Sequence, residues 1–136
     1  MTTTDVADKL RRRYLADAIE TAPPAVRLTM LYDALELDLA RADAAFEAGD
    51  LQTINDKLVH AQEIILTLRD TMKPELWEGA PRIIALHNYF LGELLHANLE
   101  KDRARAAAAA TLIGQLGNAW RQAAESLAVT EGPASR

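Results

Sequence analysis

The sequence predicts an all-α fold: an antiparallel four-helix bundle with a short N-terminal helical arm. Three observations carry that prediction. Apolar residues recur at steps of three and four over long stretches, the spacing of a single helix face. Only 5% of residues are aromatic while 49% are hydrophobic, so the core must be made mainly of Leu, Ile and Ala, which suits helices better than a sheet. The periodic stretches are separated by Gly, Pro and Asp, the residues that stop and start helices. A chain of 136 residues is long enough for one core of this kind.

The first bundle helix is expected from about Pro24 to Ala48. Pro24 suits a first turn, where its missing N–H would have had no intrahelical partner, and Thr21 is a candidate N-cap. Leu28, Leu31, Leu35, Leu39, Ala42 and Phe46 form its buried stripe. Gly49-Asp50 then closes one helix and caps the next. Leu51, Ile54, Leu58, Ala61, Ile65, Leu68 and Met72 alternate steps of three and four, so a second helix from about Leu51 to Met72 folds back antiparallel. Two prolines and a glycine between Lys73 and Pro81 break the pattern. The third helix, about Pro81 to Leu99, lines up Ile83, Leu86, Phe90, Leu94 and Ala97 and adds Ile84, Leu91 and Leu95 on its flank. So wide an apolar face implies burial on two sides or a face left for a partner. Asp102 caps a fourth helix that passes through Ala106–Ala110, Leu112, Leu116, Trp120 and Leu127 to about Thr130.

The flanks differ from this body. In residues 1–20, Val6, Leu10, Tyr14, Leu15, Ala18 and Ile19 can make one short amphipathic helix, marginal by itself in water. The domain reading is therefore an arm over 1–20, the bundle over 21–130 and a frayed tail over 131–136.

Charge and residue chemistry exclude several functions. A net charge of -5 and a pI near 5.2 argue against nucleic acid, and Arg11-Arg12-Arg13 is too short a basic cluster to outweigh them. The lack of cysteine rules out disulfides and thiol nucleophiles and fits a cytoplasmic protein. No leader pattern opens the chain, and no apolar run approaches the roughly 20 residues that span a bilayer. Glu93 and His96 share one helix face, but a di-metal bundle needs two such steps plus two more carboxylates, so a surface pair is the better reading. Gly114 and Gly117 are read as permitting close backbone contact. Tyr32 is expected to be half-buried with its hydroxyl at the bundle edge, and Asp33 to cap or pair locally. Nothing calls for a metal or cofactor, and the chain reads as a binding module rather than an enzyme.

The order of short motifs adds to this reading. Tyr14, Ile19, Thr21-Ala22, Pro24 and Met30-Leu31-Tyr32-Asp33 are followed by Gly49-Asp50, Asn55, Ala61-Gln62, Ile64-Ile65 and Leu68. Gly79, Leu86, Tyr89, Leu94, Ala97-Asn98, Asp102, Leu116, Ala119-Trp120 and Ala123 complete the series. In that order and spacing the chain resembles the flagellin export chaperone family, FliS, over almost its whole length. It departs from the family at Pro23, where Ser is usual, and at Arg27, where an aliphatic residue is usual. It departs again at Leu86-His87-Asn88-Tyr89 in place of Leu-Tyr-Asp-Tyr, at a single Gly79 in place of Gly-Gly, and at the alanine-rich start of the last helix.

The resemblance implies a cytoplasmic chaperone that binds the disordered C-terminal segment of flagellin, prevents early polymerisation and presents it to the flagellar export machinery. It implies partner contacts among Tyr14, Ile19, Leu31, Tyr32, Gln62, Ile65, Tyr89 and Leu94, with Tyr14 and Ile19 anchoring an arm that covers apolar surface when the client is absent. Leu31 and Tyr32 are read first as shaping the bundle, and Asn98 and Asp102 as serving the turn before the last helix. A helical adaptor with another partner is the alternative. The apolar third helix suits either a client groove or a homodimer face.

Overall fold

The computed structural model describes residues 24–71 and 78–131, together with Val6, Ala7, Lys9, Leu10, Arg12 and Arg13, with side chains described as far as Ser126. Expectations for Tyr14, Ile19, Thr21, residues 72–77 and 132–136 fall outside the described residues. Four helices form the bundle: α1 (Pro24–Ala48), α2 (Leu51–Asp70), α3 (Ala80–Glu100) and α4 (Arg103–Glu131). Each lies where the periodicity places it.

The turns follow from single residues. Gly49 adopts φ +69°, a left-handed conformation that glycine enters without a Cβ penalty. The Gly49 and Asp50 amides then donate to Phe46 O (3.1 Å) and Ala45 O (2.9 Å), satisfying carbonyls at the end of α1. The Asp50 carboxylate accepts from Thr53 N at 3.1 Å and from the Thr53 hydroxyl at 2.7 Å, capping α2. At the α3–α4 turn no glycine is available, and Lys101 takes the left-handed position at φ 52°. Its ammonium donates to Asn98 Oδ1 at 2.6 Å, and Asp102 Oδ1 accepts from Arg105 N at 3.1 Å as the cap of α4. Asn98 and Asp102 thus serve this turn, as expected from the sequence.

Each helix packs on two neighbours, α1 on α2, α2 on α3, α3 on α4 and α4 on α1, closing a ring around one core. Side-chain ties record the antiparallel order. Thr29 meets Trp120 and Asp43 meets Arg103 between α1 and α4, while Asn55 meets Asn98 and Arg69 meets Asn88 between α2 and α3. Leu35, Leu39, Ile54, Leu58, Ile65, Leu68, Phe90, Leu94 and Ile113 fill the centre. Burying each such side chain stabilises the fold by about 1.5–3 kcal/mol before entropy is counted.

Candidate partner-binding surface

The two sides of the ring differ in chemistry. Between α1 and α4, Arg103 donates to Asp43 (2.8 Å) and Glu47 (2.5 Å). On the same side Arg121 is bound by Asp33 (2.7 Å) and by Glu36. Hydrogen bonding from Arg103 holds the Asp43 carboxyl below its usual range. This side is joined by ion pairs and keeps few large apolar groups exposed.

The α2–α3 side is apolar. Of the ten large hydrophobics exposed among the described side chains of the four helices, seven belong to these two: Leu51, Val59, Leu66, Leu86, Tyr89, Leu95 and Leu99. Helical spacing tells where they stand. Arg69 Nη1 donates to Asn88 Oδ1 (2.8 Å) and Asn98 Nδ2 donates to Asn55 Oδ1 (2.8 Å), so Asn88 marks the α2 edge of α3. Leu95, seven residues on, shares that edge, and Leu99 continues it one turn further. On α2, Asn55, Gln62 and Arg69 form the matching row, with Val59 and Leu66 a step outward. Gln62 turns its amide to Leu58 O (3.1 Å). The result is an amide line along the helix junction, flanked by leucines that no described residue covers. Leu95 is 46% and Leu99 72% exposed.

On the other edge of α3, Tyr89 is 52% exposed and stacks edge-on against Phe90, with ring centroids 5.9 Å apart. Glu93 accepts from its hydroxyl and raises the phenol above its usual value. Glu93 also pairs with Arg105 at 3.2 Å, while His96 stays exposed beside it. Among the described residues no group of three or more His, Asp and Glu could hold a metal ion, and no helix is long and apolar enough to cross a membrane.

A second apolar feature lies where α1 and α3 begin and α4 nears its end. Leu28, Tyr32, Ile83, Leu116, Ala119, Trp120 and Ala123 line a cavity of about 440 Å³. Trp120 Nε1 donates to Thr29 Oγ1 at 2.9 Å, which fixes the indole over the α1–α4 junction.

The residues singled out from sequence divide clearly. Leu31, Tyr32, Ile65 and Leu94 are buried in the core, Gln62 is half-buried on the α2 row, Tyr89 is exposed, and Tyr14 and Ile19 lie outside the described residues. Three local expectations are corrected. The Tyr32 hydroxyl is not at the edge: it lies 3.4 Å from His87 Nε2 inside the bundle, and burial pushes its pKa up to about 12. Asp33 pairs with Arg121 across the bundle rather than locally. Gly114 and Gly117 adjoin a side chain rather than backbone: a Cβ on Gly117 would crowd Glu36 Oε2 at 2.9 Å, whereas one on Gly114 would make ordinary contact with Glu36 Oε1 at 3.6 Å. The exposed Leu66 and Leu99 were not singled out, although their place outside the stripe of each helix marks them as surface leucines.

Four antiparallel helices thus form a ring with an ion-paired side and, among the described residues, a side with exposed leucines. Residues 7–127 match the family model described as Flagellar protein FliS. The chain belongs to the FliS family. It is 28% identical over 113 residues to the flagellar secretion chaperone FliS of Bacillus subtilis strain 168, covering 83% of this chain and 84% of that relative. To the flagellar secretion chaperone FliS of Escherichia coli K12 it is 27% identical over 121 residues, covering 85% and 87%.

Proposed function

We propose that the protein is a cytoplasmic flagellar export chaperone. It holds the disordered C-terminal segment of flagellin along the apolar side of α2 and α3, keeps it from polymerising, and hands it to the flagellar export machinery. It acts by binding and not by catalysis. Membership of the FliS family supports the class of client. The observation that carries the choice of surface is the concentration of exposed leucines on α2 and α3, with the opposite side of the ring closed by ion pairs.

The physics suits the task. A disordered segment that folds as an amphipathic helix on such a surface buries apolar faces that would otherwise drive self-association. The entropy it loses on ordering keeps the complex releasable. In this reading the arm, anchored by Tyr14 and Ile19, shields apolar surface until the client arrives.

Calorimetry with a peptide of the cognate flagellin C-terminus tests the reading. Binding is expected to weaken at least about tenfold, or by 1.4 kcal/mol, in Leu95→Lys/Leu99→Lys, with the thermal midpoint little changed. No heat with the unaltered protein would return the chain to a helical adaptor with another partner. Full affinity in the double variant would move the client to a different surface.

A further inference from the structure

His87 is the most isolated polar group of the described core. Its side chain is 1% exposed, and its Nδ1 is buried without any hydrogen-bond partner. Among the described residues its Nε2 meets the Tyr32 hydroxyl, at 3.4 Å on α1, with the rings tilted and their centroids 6.5 Å apart. A neutral imidazole has one donor and one acceptor nitrogen, so either tautomer leaves one nitrogen unsatisfied here. An imidazolium would bury a charge along with the orphaned N–H.

Among the described residues, none shown to act on His87 offers that charge a counter-ion. From α2 the group that acts on His87 is Arg69, a like charge, whose guanidinium is engaged by Asn88. From α1 it is Tyr32, a neutral phenol. On α4 the charges at this end are Arg121, already held by Asp33 and Glu36 of α1, and Glu125, which is exposed to solvent. On α3 itself Arg82 is exposed, and Glu93 pairs with Arg105. Tyr32 is also a wall of the apolar cavity, beside Leu28, Ile83, Leu116 and Trp120, so the contact that holds His87 is shared with that cavity.

We propose that the Tyr32–His87 contact is a proton-operated catch: protonation drives the His87 ring out of the core and opens the apolar cavity, while the other end of the bundle stays closed. The closed state is the one that binds protons less readily, because burial, reinforced by Arg69, pushes the His87 pKa down to about 4 from an ordinary value near 6.5. The catch is therefore secure above pH 6.5 and weakens as pH falls from there toward 4.

Native-state hydrogen exchange on the full chain, corrected for intrinsic rates, tests this. Between pH 7.5 and 5, protection of the amides from Leu86 to Phe90 should drop about thirtyfold, the linkage factor for those two pKa values. Amides around Ala45 and Ala109 should change far less. His87→Phe, or His87→Gln should the aromatic fail to fold, should abolish the pH-dependent drop. The same drop in either folded variant, or an equal loss of protection in all four helices, would overturn the proposal.

Discussion

Gly49 and Gly92 place the same residue type under opposite conditions. Gly49 sits at φ +69°, where an added Cβ meets no neighbour but the backbone itself resists an L side chain. Gly92 lies inside α3 with nothing within 4 Å of a built Cβ, so there glycine only forfeits helix propensity. Gly49→Ala is expected to destabilise by about 1–2 kcal/mol and Gly92→Ala to stabilise by about 1 kcal/mol, read from urea unfolding midpoints at unchanged slope. The same sign for both would show that backbone conformation does not decide these sites. Asp50 gives a related test: its carboxylate caps α2 through Thr53, and Asp50→Ala should cost about 1 kcal/mol in the same experiment.

At the scale of one element, α3 shows how a helix holds two roles at adjacent positions. Leu94 has no exposed surface and touches the shared core, while Leu95 next to it is 46% exposed. Leu94→Ala should cost about 2–5 kcal/mol through lost burial and a residual cavity. Leu95→Ala should stay within about 0.5 kcal/mol of the parent, so that any loss of client affinity there is a loss of contact. Thermal unfolding of the pair, alongside peptide calorimetry, separates fold from binding on one helix. The helices were legible in the sequence because their information is local: the stripe from Leu51 to Leu68, the Gly49-Asp50 turn and the Asp102 cap each depend on residues within a few positions. The pairings between helices were not. Tyr32 with His87, Asp33 with Arg121 and Glu36 over Gly117 depend on which helix lies beside or across from which, and no spacing along one chain segment encodes that. The apolar excess of α3 was visible, but its division into two edges required Asn88 and Asn98 to show where α2 lies.

For the whole molecule, the decisive property is the asymmetry of the ring. The α1–α4 side joins two arginines to four carboxylates, at Asp43, Glu47, Asp33 and Glu36, whereas α2 and α3 carry, along an amide line, leucines that no described residue covers. The two sides would give a client different thermodynamic signatures. Binding on the leucine side removes apolar area from water, so its enthalpy should become more favourable on warming, a negative heat-capacity change. It should also be almost blind to salt, because the Debye length shrinks from about 10 Å at 0.1 M to a few ångströms at 1 M without touching an apolar contact. Binding on the charged side would require an incoming group to compete with ion pairs already made, and its affinity would fall as salt rises. Calorimetry of the flagellin C-terminal peptide at 15 and 35 °C, in about 0.1 M and 0.5 M NaCl, distinguishes them. A negative heat-capacity change with affinity altered less than about threefold is the result expected for a client on α2 and α3. A steep loss of affinity with salt and a flat enthalpy would transfer the client to the arginine-laced face, and the exposed leucines would then need another occupant, such as a second copy of this chain.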